Sequence, residues 1–273
     1  MSEHKINTSV SNHGGSKEFY EYYAKESLSN EAITRFERLR DLVLRTKETE
    51  TNYNGSDALD IIDIGCGAGT LSMLFAEKGH NVHGLDVNES LISLAINRAN
   101  ESGYNVDFQL GTATNLPWGD NVADICLAPE LLEHVPEWDK CLDEFSRILR
   151  PGGILFLSTT NKLCPKQQEY TLPLYSWYPG FIKRYCERLA VTSHPEFVNY
   201  ATYPAVNWFS YYTLRKEMAG RGFRSLSRFD VMDASEKGRI GRMLLWAIRN
   251  IPGMSFIAQI MSSYTQIVSI KLH

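Results

Sequence analysis

Apolar positions along this chain follow two rhythms. From residue 19 to about 47 they recur at three- and four-residue spacings, through Ile33, Phe36, Leu39, Leu42 and Val43, which predicts an amphipathic helix. A polar stretch with Asn and Gly, 48–57, then makes a connection. From residue 58 the rhythm changes. Short apolar runs at 58–64, 82–87, 106–110, 123–128 and 154–159 predict buried strands. Helical stretches at 71–78, 91–100 and 138–149 separate them, and Arg150-Pro-Gly-Gly153 predicts a turn ahead of the fifth strand. Strands that are apolar at nearly every position need cover on both faces, so the pattern predicts a parallel sheet between two helical layers.

After Thr160 the alternation stops. Residues 161–208 show no strand signal, a helix is predicted over 211–221 with Gly222 as its stop, and a strand over 225–231. A helical stretch over 239–262 and a β-rich segment at 265–272 close the chain. Residues 1–16 are polar and aperiodic and are expected to be disordered. The first helix has too little apolar surface to fold alone, so 17–273 reads as one domain with an insertion at about 161–208. No internal repeat is visible.

Composition narrows the setting. The chain has 273 residues, is 43% hydrophobic and carries a net charge of −4. That suffices for one large core and gives no broad basic field, so nucleic acid is excluded as a partner. Cys66, Cys126, Cys141, Cys164 and Cys186 are an odd, scattered set with no C-x-x-C pair, as expected of reduced thiols in a cytoplasmic protein. The N-terminus lacks an apolar signal core, and no run approaches the roughly 18 apolar residues of a membrane span.

Candidate chemistry begins at the first strand-to-helix crossover, Asp63-Ile-Gly65-Cys66-Gly67-Ala-Gly69-Thr70. Ligands of doubly wound sheets bind at this position, where glycines let the backbone turn sharply and approach a bound group. Dinucleotide sites want G-x-G-x-x-G; here the spacing is G-x-G-x-G with an acid two residues ahead. Asp86 ends the second strand, 21 residues after Gly65, where a carboxylate can take both hydroxyls of a ribose. A cofactor-free turn and a nicotinamide or flavin site are the competing readings.

Together with G-L-D-V at 84–87, L-P-W at 116–118, L-L-E-H-V at 131–135 and L-R-P-G-G at 149–153, this loop resembles the class I S-adenosylmethionine-dependent methyltransferases over roughly residues 58–160. The resemblance implies a Rossmann-like, doubly wound α/β fold with a seven-stranded sheet, mostly parallel, whose antiparallel last strand is supplied by 265–272. It implies that Gly65 and Gly67 approach the methionine part of the cofactor and that Asp86 holds the ribose. Asp63, Cys66, Gly69, Val87, Ala128 and Pro129 complete the implied site. Where the family usually carries an acid for the adenine amine, this chain has Thr112, so that contact is weakened or made otherwise.

Beyond the fourth strand lies Glu130-Leu-Leu-Glu133-His134. If helical, it places both carboxylates and the imidazole on one face. Three readings stand: a site for Mg²⁺ or another hard divalent cation, a general base at His134 oriented by a carboxylate, or an ordinary turn with His134 packed locally. E-x-x-E-H followed by S-T-T-N-K at 158–162 resembles the ubiquinone-biosynthesis O-methyltransferases. That resemblance implies a metal held by Glu130, Glu133 and His134 that activates a catechol hydroxyl, and a cofactor-contacting arginine at Arg35.

The insertion interleaves Tyr170, Tyr175, Trp177, Tyr178, Phe181, Tyr185, Phe197, Tyr200, Tyr203 and Trp208 with Lys162, Lys166, Lys183, Arg184 and Arg188. It suits either a lid at the inner face of a membrane or a substrate cap with its own small core. In 239–251, Ile240, Met243, Leu244, Ala247, Ile248 and Ile251 share one helical face, which either covers the protein or meets a bilayer or partner. The expected activity is O-methylation of a hydrophobic, quinone- or lipid-linked hydroxyl. The alternatives are a soluble sugar or small-metabolite acceptor, and a non-catalytic scaffold subunit.

Overall fold

A computed structural model describes residues 24–166, 170–198 and 205–273. The expected disordered tail at 1–16, the start of the first helix at residue 19, and Tyr200 and Tyr203 lie outside the described residues. The alternation of apolar runs becomes a seven-stranded sheet in the order β3-β2-β1-β4-β5-β7-β6. Its strands are β1 (Asp60–Ile64), β2 (Asn81–Asp86), β3 (Val106–Leu110), β4 (Ala123–Pro129), β5 (Leu149–Thr160), β6 (Phe223–Ser227) and β7 (Tyr264–Lys271). The first five pair in parallel, and β7 runs antiparallel between β5 and β6.

Helices cover both faces, as strands apolar at consecutive positions require. One face carries Ile62, Ile64, Cys126, Leu155 and Leu157 against α4 (Trp138–Ile148) and α6 (Tyr211–Gly220). The other carries Ile61, Ile125, Leu127, Ile154 and Phe156, against Val43 of α1 (Asn30–Glu50) and Phe75 of α2 (Thr70–Ala76). The first helix is thus part of the domain, and Lys47 Nζ ties it to the Gly152 carbonyl at 2.8 Å. Helix α3 (Glu89–Ser102) packs beside β3 through Ile92, Ala95 and Ala99. It starts on the Asn88 side chain, which accepts from the Leu91 amide, and stops at left-handed Gly103.

Local chemistry corrects three boundaries. The strand expected over 225–231 ends at Ser227, because Ser227 and Asp230 form a capping box that opens the short helix α7 (Arg228–Val231). The helical stretch at 239–262 is two helices, α8 (Arg239–Asn250) and α9 (Met254–Ile260), broken at Pro252-Gly253, where Gly253 has φ +85°. The turn at 150–153 is an irregularity within β5, where the pairing with β4 shifts register. The insertion contains α5 (Gly180–Thr192), and Tyr170, Tyr175, Cys186, Ala190 and Val198 form a small separate core.

Gly69, the N-cap of α2, has φ +76°, and a Cβ there would lie 2.6 Å from Phe108 Cζ and 2.9 Å from Ala95 Cβ. Left-handed strain and overpacking would act together, so Gly69→Ala is expected to cost roughly 2–4 kcal/mol in chemical denaturation.

Candidate functional site

At the carboxyl edge of β1 the chain must turn from a buried strand into α2 within a few residues. Gly65 and Cys66 donate to the Leu85 carbonyl at 2.7 and 3.1 Å, and Gly67 donates to Asp86 Oδ2 at 2.9 Å. Asp86 Oδ1 accepts from the Asn88 amide at 2.9 Å. The second acid therefore sets the shape of the loop as well as standing at the end of β2.

Asp63 is almost wholly buried. One oxygen accepts from Ser72 Oγ at 2.6 Å; Oδ1 has no hydrogen-bond partner among the described residues. Burial pushes its pKa up to about 7, the Ser72 hydrogen bond works against this, and the Asp86 charge adds to it. The same burial, with both carboxylates nearby, holds the Cys66 thiol protonated.

A cavity of about 1060 Å³ opens beside this loop. Asp63, Gly65, Cys66, Ala68 and Thr70 line one end. Pro129, Glu130, His134, Phe156 and Ser158 line its middle, at the ends of β4 and β5. Arg228, Met232, Lys237, Tyr264 and Gln266 line the far end, and α1 forms a wall with Arg35, Leu39 and Arg45. Of the expected cofactor residues, Arg35, Asp63, Gly65, Cys66 and Pro129 line this cavity. Gly67, Gly69, Asp86, Val87, Thr112 and Ala128 do not. Ala128 is fully buried in the core, and Thr112 is exposed, with its hydroxyl 3.0 Å from Thr114 Oγ1.

The segment after β4 is not the helix on which the one-face array of Glu130, Glu133 and His134 depended. It is a turn in which Glu130 takes φ +52° and donates its amide to the Ser158 carbonyl at 2.8 Å. Glu130 meets Arg35 at 3.3 Å, while Glu133 is buried and does not line the cavity. Among the described residues no group of three His, Cys, Asp or Glu side chains is placed to hold a metal ion. Glu130 and His134 do share the cavity, and burial lowers the His134 pKa, so the ring is neutral at pH 7 and able to accept a proton.

Sequence reasoning missed the groups that brace these residues. Val206 and Asn207 amides donate to the Glu133 carbonyl, and Asn207 Nδ2 donates to the Leu132 and Val135 carbonyls at 2.9 and 2.7 Å. The end of the insertion thereby clamps the turn that carries His134, although none of its described residues lines the cavity. Arg98 donates to Ala68 in the loop and to Ala24 and Ser27 ahead of α1, joining the two. Neither residue carries a sequence signal, because an Asn in a loop and an Arg on a helix look like ordinary solvated positions.

The electrostatics of Asp63 can be read directly. A ¹³C carboxyl titration is expected to give a midpoint near 7, and Ser72→Ala to raise it further, since the hydroxyl favours the ionised form. A midpoint in the ordinary carboxylate range would contradict the buried geometry.

Comparison with known proteins agrees with this arrangement. A family model described as a methyltransferase domain matches residues 56–216, more than half of the chain. The ubiquinone biosynthesis O-methyltransferase of Coxiella burnetii is 38% identical over 102 residues, which are 37% of this chain and 44% of that protein. The protein of the same name from Agrobacterium fabrum is 38% identical over 106 residues, 39% of this chain and 42% of its own. The match thus spans less than half the length of these curated relatives. A solved S-adenosylmethionine-dependent methyltransferase from Mesorhizobium loti is 16% identical, covers 84% of this chain and 95% of its own, and superposes with a TM-score of 0.53, a likeness of fold. With the family match running from β1 into α6 and containing the glycine loop, both acids and His134, the chain belongs to the S-adenosylmethionine-dependent methyltransferases.

Proposed function

We propose that this methyltransferase acts on a hydrophobic, quinone- or lipid-linked hydroxyl, with His134 as the base that takes the hydroxyl proton. The observation that carries the reading is that one cavity joins the glycine loop and His134 to Phe156, Met232 and Tyr264. The residues at the loop fit the methyl donor. Asp63 Oδ1 is a buried acceptor without a partner, suited to a cationic ligand, and a Cβ on Gly65 would come within 3.2 Å of Leu131 Cδ1. When bound, S-adenosylmethionine supplies a methyl group already activated on a sulfonium.

The chain's part is then to align the acceptor oxygen and remove its proton. Alignment contributes several kcal/mol, and a positioned base roughly 10²–10⁴-fold in rate. Neutral His134 serves as that base, and the pair of Glu130 with Arg35 borders the same space. A divalent cation has no step in this proposal, because Glu133 stands away from the cavity.

Support for a lipid-linked acceptor comes from the surface. No helix among the described residues is long and apolar enough to cross a membrane. Yet the α8–α9 hairpin buries Leu245 and leaves Ile240, Met243, Leu244, Trp246, Ile251, Phe256, Ile257 and Met261 exposed, each by 45–79%. From Gly238 to Tyr264 the sequence has Arg239, Arg242 and Arg249 and no Asp or Glu, in a chain whose net charge is −4. An apolar face with a local positive charge suits the surface of an anionic bilayer. The hairpin springs from Lys237 and returns at Tyr264, both of which line the cavity, so a docked membrane would stand beside its far end.

His134→Ala and Glu130→Ala are each expected to lower kcat about 100-fold or more while S-adenosylmethionine affinity, measured by calorimetry, stays within about two-fold. EDTA is expected to leave the wild-type rate within about two-fold. Full activity in both variants, assayed across demethyl-quinone precursors and soluble sugars, would remove the assignment; turnover of sugars alone would favour a soluble acceptor.

The wild-type chain is also expected to sediment with phosphatidylglycerol vesicles and not with phosphatidylcholine vesicles. Met243→Ser with Leu244→Ser should release it. No sedimentation, or none lost in the double variant, would sink the bilayer contact.

A further inference from the structure

The cations that line the cavity are not alike. Arg35 is paired with Glu130 at 3.3 Å, and Arg45 with Asp233 and Glu236 at 3.2 and 3.6 Å. Arg38, which is exposed, and Lys237 have no carboxylate within ion-pair distance among the described residues, and neither has Arg228, but only Arg228 of the three has a buried nitrogen, its Nε, that makes no hydrogen bond. The nearest acid in sequence, Asp230, is occupied, since both the amide and the hydroxyl of Ser227 donate to its Oδ2 at 2.8 Å.

The position is also held in place. Arg249 of α8 donates to the carbonyls of Phe229, Asp230 and Met232, which fixes the segment that carries Arg228. The Ser227 capping box fixes the preceding residue. An unpaired guanidinium in a partly desolvated wall is a destabilising feature, and burial lowers its pKa from the usual arginine value. Its guanidinium carbon lies 5.8 Å from the centre of the Phe229 ring, and it lines the cavity with Met232, Tyr264, Gln266 and the Arg45-bound acids Asp233 and Glu236, at the end away from the glycine loop. A fixed fork of donors, facing a chamber and lacking an anion, is suited to a planar or tetrahedral oxyanion.

We propose that Arg228 is the anchor for an acidic group, a carboxylate or a phosphate, carried by the acceptor molecule, so that the acceptor is held at its anionic end by Arg228 while its hydroxyl faces His134. This rests on reading the cavity as the acceptor chamber. It adds a selectivity rule: acceptors bearing an oxyanion are preferred over neutral ones of equal size.

The test uses three small probes on the full chain, benzoate, phenyl phosphate and benzyl alcohol, with binding read by isothermal titration. Wild type is expected to bind at least one anion ten-fold or more tightly than the alcohol, and the preferred anion tells carboxylate from phosphate. Arg228→Met should erase that preference with Tm unchanged or raised, and Arg228→Lys should keep part of it. Equal binding of all three probes by wild type, undiminished anion binding by Arg228→Met, or a Tm loss of several degrees in that variant would overturn the anchor. S-adenosylmethionine titration runs alongside. Its failure in wild type would count against the methyltransferase reading, whereas normal cofactor binding with no anion preference would remove the anchor alone.

Discussion

Strands β1 and β4 lie side by side in the sheet, but the chain leaves them in opposite directions: from β1 toward β2 and β3, and from β4 toward β5. The two connections therefore diverge at the carboxyl edge and leave a crevice that no element of the sheet can fill. Everything chemical in this protein is arranged around that divergence. The glycine loop lines one side, the Glu130 turn the other, and α1 forms a wall through Arg35 and Leu39, while Val43 and Lys47 fasten that helix to the sheet. A loop with side chains at Gly65 or Gly69 would close on Leu131 or on Phe108, so the crevice depends on their absence.

The crevice also sets the charge states within it. Asp63 is taken out of water by the strands on either side, which raises its pKa to about 7 and leaves one oxygen buried without a hydrogen-bond partner among the described residues. Ionising this group weakens the fold as pH rises from the ordinary carboxylate range through 7, because the folded state holds the proton more tightly than the unfolded chain. A cationic ligand offsets that cost by favouring the carboxylate. His134 is shifted the other way by the same physics: burial disfavours its cation and keeps it a base. One desolvated space thus holds a carboxyl with a raised pKa at Asp63 and a neutral imidazole at His134.

The far end of the cavity holds groups that the fold itself leaves unsatisfied. Arg228 stands without a carboxylate although Asp233 and Glu236 lie in the same wall, because those acids are committed to Arg45. The hairpin that follows leaves eight large apolar side chains exposed while spending Arg249 on three backbone carbonyls. Such departures from a self-satisfied surface tend to mark places where a partner completes the structure.

Much of the fold was legible in the chain, since buried parallel strands must be apolar at consecutive positions and the runs at 58–64, 82–87, 106–110, 123–128 and 154–159 are. The loop from Asp63 to Thr70 was equally plain, because glycine spacing is a local steric demand. What the residues near Glu130 do was not. A helix would have gathered Glu130, Glu133 and His134 on one face, but the left-handed Glu130 and the clamp from Asn207 turn Glu133 inward. Local pattern determined the strands, the crossover loop and the family. Which charges meet across the cavity, which arginine keeps a buried nitrogen without a hydrogen bond and which apolar face stays uncovered were decided by tertiary packing, since each depends on residues far apart in the chain.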